Sequence, residues 1–169
     1  MTRILSLDDD PELLQRFAVA LNLAGYEHLL ATQSKEALSI LHNERIDLFT
    51  QDLARPDMPG WNLYELMKAD DDLRSIPVLF LSGFGGWYGS HIERLTEFGD
   101  DYLTKPFRLE EFLTVVTAMI KRRHKRIPSE EDRITAYERL KRDSNWEDKD
   151  LDDLYRRISN ILNELKASA

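Results

Sequence analysis

The chain has no cysteine among its 169 residues. That excludes a disulfide framework, a thiol nucleophile and any Cys-ligated metal site. It also lacks an apolar run near the ~20 residues that a membrane-spanning helix needs. Its start, Met1-Thr2-Arg3-Ile4-Leu5, is too short and too soon acidic for a signal peptide. A soluble, cytoplasmic protein is expected. A hydrophobic content of 42% is enough for a packed core. The length fits one domain plus an appendage, or two small domains.

Positive charge is scarce in the body of the chain. Residues 1–120 hold 10 Lys/Arg against 20 Asp/Glu. Residues 121–126 then read Lys-Arg-Arg-His-Lys-Arg, and residues 127–169 hold 8 Lys/Arg against 11 Asp/Glu. An acidic body, a basic hinge and a slightly acidic tail follow one another. Such a body is a poor nucleic-acid surface and a plausible cation site.

Short apolar runs alternate with helical patterns over the first 120 residues. Strands are expected at 4–7, 27–32, 46–51, 77–81 and 102–104. Helices are expected at 13–24, stopped by Gly25, at 34–43, around Leu63, Leu66 and Met67, around 92–98, and from Leu109 through Phe112, Leu113, Val116 and Ile120. Helices of this length between strands argue for right-handed βαβ units and a parallel sheet covered on both faces. Function in such sheets sits at the carboxyl ends of the strands. Those ends carry Asp8-Asp9-Asp10, Asp52, Ser82 and Lys105-Pro106.

Each of these is weak alone. A strand-end acid is often only a helix cap, and Asp10 before Pro11 suits that role. Together they carry more weight. Converging carboxylates repel and raise one another's pKa. A hard divalent cation relieves this, and an oxygen-only ligand set suits magnesium. A nearby Lys and a hydroxyl add donors for a phosphoryl group.

The pieces Ile4-Leu5-Ser6-Leu7-Asp8-Asp9-Asp10, Asp52-Leu53-Ala54-Arg55-Pro56 with Gly60, Leu81-Ser82-Gly83 and Asp101-Tyr102-Leu103-Thr104-Lys105-Pro106-Phe107 agree in type, order and placement with one family. Over residues 3–120 the chain resembles the receiver domain of two-component response regulators. The resemblance implies a flavodoxin-like (βα)5 fold, a doubly wound parallel five-stranded sheet in the order 2-1-3-4-5, here with a C-terminal α-helical extension. It implies a receiver over 1–126 and a docking or dimerisation element over 127–169. It implies Asp52 as phosphoacceptor from a histidine kinase or phosphotransfer protein. Asp8, Asp9, Asp52 and the Ala54 backbone carbonyl become the Mg²⁺ ligands, and Lys105 and Ser82 the phosphoryl-contacting groups. Ser82 and Tyr102 become the switch pair, and the Lys105-Pro106 bond is expected to be cis. Ala54 and Phe84 tune dephosphorylation. Such a protein is not an enzyme beyond its own phosphotransfer and slow autodephosphorylation.

Three departures stand out. Ser82 replaces the commoner Thr and keeps the hydroxyl. Pro59 stands where Asp is frequent. The stretch from Ser82 to Lys105 is slightly long and Gly-rich, so the helix around 92–98 is expected to begin late. Trp87 and Tyr88 in that stretch fold back over the core edge or form a partner patch. The four histidines are scattered and carry no assigned role.

In the tail, Ser129 and Asp132 resemble a capping box, followed by Ile134, Tyr137 and Leu140 on one face. Ser144-Asn145 breaks this helix. Leu151, Leu154, Ile158, Ile161 and Leu165 then form a stripe, widened by Tyr155 and Leu162, too short to be helical alone. A homodimer, with tails paired or set on the neighbour's 109–120 helix, is the favoured expectation. Docking within the chain or on an effector protein are the rivals. The output face is expected on the 92–98 helix, the 102–104 strand and the 109–120 helix. DNA binding through the hinge and tail is the alternative function, but the mixed charge of the last helix argues against it. A receiver-like adaptor that accepts no phosphate is another. A phosphatase would need an acid two residues after Asp52, where Ala54 stands.

Overall fold

Runs rich in Leu, Ile, Val and Phe make the sheet because both of its faces are covered. The structure, a computed structural model, describes residues 1–83, 100–123, 128–143 and 145–168. Five parallel strands, β1 (Arg3–Leu7), β2 (Glu27–Ala31), β3 (Leu48–Asp52), β4 (Val78–Ser82) and β5 (Asp101–Thr104), lie in the order β2-β1-β3-β4-β5. Every residue of the interior strands β3 and β4 is buried, as a doubly covered parallel sheet requires. The edge strand β5 alternates half-buried with exposed.

Six helices are described: α1 (Pro11–Leu23), α2 (Ser34–Asn43), α3 (Gly60–Ala69), α4 (Leu109–Arg122), α5 (Glu130–Asp143) and α6 (Asp148–Ala167). Asp10 caps α1, its Oδ1 accepting from the Glu12 and Leu13 amides at 2.9 and 3.3 Å, with Pro11 in the first turn. Gly25 turns the chain out of α1 at φ +83°. The helix expected around 92–98, with Trp87 and Tyr88, lies outside the described residues.

Alternating strand side chains divide the interior into two cores. Ile4, Leu48, Leu79 and Leu81 face α1 and α4, joining Leu14, Phe17, Phe112 and Val116. Leu5, Leu7, Phe49, Val78 and Phe80 face α2 and α3, joining Leu41, Leu63, Tyr64 and Met67. Leu66, on the other side of α3, is exposed.

The tail belongs to the first core. Leu151, Leu154, Ile158 and Leu162 are buried in the same cluster as Leu14 and Val116. Helix α6 packs on α4 and α1, and α5 packs on α1. Ser129 and Asp132 form the expected reciprocal cap. Asp132 Oδ2 accepts from the Ser129 amide at 2.7 Å, and Ser129 Oγ accepts from the Asp132 amide at 3.2 Å. Lys121 Nζ donates to the Leu165 carbonyl at 2.8 Å, capping the end of α6, and Lys166 Nζ donates to the Pro128 carbonyl at 2.7 Å.

Three expectations for the tail change. The buried residues of α5 are Arg133 and Ala136, with Tyr137 and Leu140 packed beside them, while Ile134 is exposed. The stripe of α6 closes on Leu162, leaving Ile161 and Leu165 half-buried. The favoured homodimer through this stripe therefore loses its premise. The stripe is already covered by the chain's own α1 and α4, each fully buried side chain contributing roughly 1.5–3 kcal/mol.

Candidate functional site

The carboxyl ends of β1, β3, β4 and β5 meet at one rim, and the residues expected there meet with them. Asp8 follows β1 and is buried, while Asp9 beside it is exposed. Asp52 ends β3 and is buried. One carboxylate oxygen from each of the three lies within 4.8 Å of the others. Asp8 is oriented by the chain that follows it, its Oδ1 accepting from the Asp10 amide at 2.9 Å. Lys105 follows β5 and reaches across the rim. Its Nζ donates to Asp8 Oδ2 at 3.2 Å and lies 3.6 Å from Asp52 Oδ1. The expected Asp52 partner is thus shared with Asp8, which holds the shorter contact.

Ser82 ends β4, buried, one residue beyond Leu81, the register partner of Asp52. The Lys105 amide donates to the Ser82 carbonyl at 2.7 Å, and the Lys105-Pro106 bond is cis as expected. Tyr102 lies on β5 with 37% of its surface exposed. Ala54 is exposed in the loop after β3. Phe84 lies outside the described residues.

Burial pushes the Asp52 carboxyl up from the ordinary carboxylate range. Lys105 pulls it down, Asp8 pushes it up, the Ala54 amide pulls it down by hydrogen bonding, and Asp9 adds a smaller push upward. One lysine does not offset burial plus two acids. Three clustered carboxylates and no sulfur or imidazole suit a hard divalent cation, so the residues fit Mg²⁺.

The loop from Asp52 to Gly60 is tightly drawn. The Gly60 amide donates to the Leu53 carbonyl at 2.9 Å. A Cβ at Gly60 would lie 2.7 Å from the Asp52 carbonyl oxygen, so only glycine lets α3 begin this close to the acceptor. Arg55 in this loop, read from the sequence only as part of a motif, is buried with its guanidinium fully enclosed. A charged side chain beside Pro56 gives no sequence signal of burial.

The sequence matches the family model of the response regulator receiver domain over residues 4–117. The chain belongs to this family. Curated receiver-containing relatives include the DNA-binding dual master transcriptional regulator RpaA of Synechocystis, 35% identical over 76% of this chain and 52% of that protein. The phosphate regulon transcriptional regulatory protein PhoB of Pseudomonas aeruginosa is 33% identical over 70% of this chain and 52% of its own length. The chain spans about half the length of these relatives. Among solved structures, the non-phosphorylated HemR receiver domain from Leptospira biflexa is similar at TM-score 0.63 and 30% identity, covering 71% of this chain and 94% of that one. Chemotaxis response regulator CheY4 of Vibrio cholerae is similar at TM-score 0.63 and 25% identity, covering 70% and 98%. The five-stranded sheet and its surrounding helices are those of a receiver, and α5 and α6 are added to it. No helix among the described residues is long and apolar enough to cross a membrane.

Proposed function

We propose that the chain accepts a phosphoryl group on Asp52 from the phosphohistidine of a histidine kinase or phosphotransfer protein, with Mg²⁺ bound, and signals by phosphorylation-dependent contact with another protein. The supporting observation is the convergence of Asp8, Asp9 and Asp52 with the Lys105 ammonium at the strand ends of a receiver fold.

Asp8, Asp9, Asp52 and the Ala54 backbone carbonyl would hold the ion, which supplies positive charge against the oxygens of the transferred group. An Asp52 carboxylate oxygen forms the new O–P bond as the N–P bond breaks, and the electron pair returns to the imidazole nitrogen. Lys105 balances charge on Asp52 and Asp8 beforehand and contacts a phosphoryl oxygen afterwards. The Ser82 hydroxyl donates to another oxygen, and Tyr102 moves inward with it. The protein catalyses only this transfer and a slow loss of its own phosphate.

Contact with protein is favoured over DNA because α6 exposes Asp150, Asp153 and Glu164 among its basic residues. The test is incubation with acetyl phosphate, with and without Mg²⁺, read by phosphate-affinity electrophoresis. One Mg²⁺-dependent, acid-stable, base-labile shifted band is expected. Asp52→Asn abolishes it and Asp9→Ala slows it. A parent chain that never shifts is an adaptor without acceptor chemistry, and a shifted Asp52→Asn chain overturns the site.

A further inference from the structure

Arg55 is three residues beyond Asp52 and is almost wholly enclosed, at 6% exposure. Burying a guanidinium is expensive, and an apolar side chain would fill the same space without that cost. The arginine instead spends its donors on three separate elements. Nη1 donates to the Asp52 backbone carbonyl and to Gln51 Oε1 at the end of β3. Nη2 donates to Ser34 Oγ, the first residue of α2, at 2.8 Å. Nε lies 3.4 Å from Asp57 Oδ1, an ion pair rather than a hydrogen bond.

Asp57 closes the arrangement. Its Oδ2 accepts from the Ser34 amide at 2.6 Å, and its Oδ1 accepts from the Met58 amide at 2.8 Å. No side chain of the preceding residue Gln33 caps α2, so the loop carboxylate takes that place at the positive end of the helix. The loop carrying Ala54 is therefore clamped at both ends: at Asp52 through its carbonyl, and at α2 through Ser34 and Asp57.

We infer that Arg55 is a positioning residue for the acceptor loop: through Ser34 and Asp57 it fixes the Ala54 peptide, whose amide bonds Asp52 and whose carbonyl would be the backbone ligand of the ion. This rests on the acceptor reading above. Its consequence is specific. A chain without the clamp keeps its three carboxylates but presents the Ala54 carbonyl loosely. Its Mg²⁺ requirement rises, while the rate at saturating Mg²⁺ is largely recovered.

The experiment is calorimetric titration of the full chain with Mg²⁺ alone, alongside thermal unfolding and acetyl phosphate kinetics at several Mg²⁺ concentrations. Arg55→Met should weaken Mg²⁺ binding about 10–100-fold, the usual effect of removing a group that orients a metal ligand. Arg55→Lys, with one point charge in place of the fork, should recover little of this. Lys68→Met removes a buried ion pair with Asp100, at the opposite end of the sheet. It should lower the unfolding temperature and leave Mg²⁺ affinity at the parent value. Parent-like Mg²⁺ affinity in a folded Arg55→Met chain overturns the inference. If that variant does not fold, Ser34→Ala removes one acceptor of the guanidinium and carries the same test: severalfold weaker Mg²⁺ binding supports the inference, and unchanged binding overturns it. Asp9→Ala distinguishes a failure of the acceptor site from a failure of the Arg55 clamp. If it too binds Mg²⁺ like the parent, the acceptor site itself is wrong and the inference falls with it. If it loses Mg²⁺ while Arg55→Met does not, only the role of Arg55 is wrong.

Discussion

Under the proposed function, Asp52 sets where the phosphate arrives, and Ala54 and Phe84 set how long it stays. In this family the side chains two positions after the acceptor and two after the hydroxyl residue tune the water attack that removes the phosphate. Ala54 offers no hydrogen bond to a water, and neither does Phe84. Slow autodephosphorylation is expected, and an Ala54→Asn, Phe84→Glu double variant should lose its phosphate faster in a time course of the phosphorylated band. His28 makes a different prediction. Both ring nitrogens are buried without a hydrogen-bond partner, and burial lowers its pKa from 6.5 to about 4. The unfolded chain takes up this proton as pH falls below 6.5, and the folded chain resists until about 4. Stability is therefore full above 6.5, declines between 6.5 and about 4, and loses this slope below. His28→Leu should flatten that part of a denaturation-versus-pH curve. The acids, Ser82 and Lys105 were legible in the sequence because strand ends are where a parallel sheet places function. Arg55, Arg133 and His28 were not. The two arginines are held by Ser34 and Asn163, far away in the chain, and a polar residue by itself reads as solvated.

The elements followed from periodicity wherever one face decides the matter. Strands β3 and β4 and helix α1 are of this kind, since a continuous apolar run or a capped amphipathic stretch has only one way to be buried. The stripe of α6 did not follow fully. Steps of three and four allow a seam through Ile161 and Leu165 or through Leu162, and packing against α4 and α1 buries the latter. On α5 the face includes Arg133, which donates to Asn163 Oδ1 at 3.1 Å, so an arginine occupies the position that pattern reading gives to Ile134. The start of α3 carries the sharpest constraint. Gly60→Ala places a methyl group against the Asp52 carbonyl and the Leu53 Cα, backbone that cannot swing aside. A loss of about 1–3 kcal/mol is expected by denaturant unfolding, together with slower phosphorylation because the acceptor strand end must shift.

At the scale of the molecule, the tail is part of the receiver's own core. Gly25 shows this from the other side: a Cβ there would lie 2.7 Å from Pro128 Cβ, so the end of α1 and the start of the tail are in contact. Arg157 bonds Glu110 at the start of α4, and Tyr137 bonds Asp152 between the two tail helices. Ile158→Ala should cost roughly 2–5 kcal/mol of stability, and Ile158→Asp more, with light scattering giving one chain's mass for the parent and for the folded variants. A parent of twice that mass that Ile158→Asp converts to monomer would restore the tail-mediated dimer. All of this turns on acceptor chemistry at one carboxylate. Its most direct test is borohydride reduction of the chain after reaction with acetyl phosphate and Mg²⁺, followed by peptide mass spectrometry to find which aspartate was trapped as its acyl phosphate. Reduction is expected at position 52 alone, and not when Mg²⁺ is withheld. Reduction at Asp8 or Asp9 with position 52 untouched would contradict it.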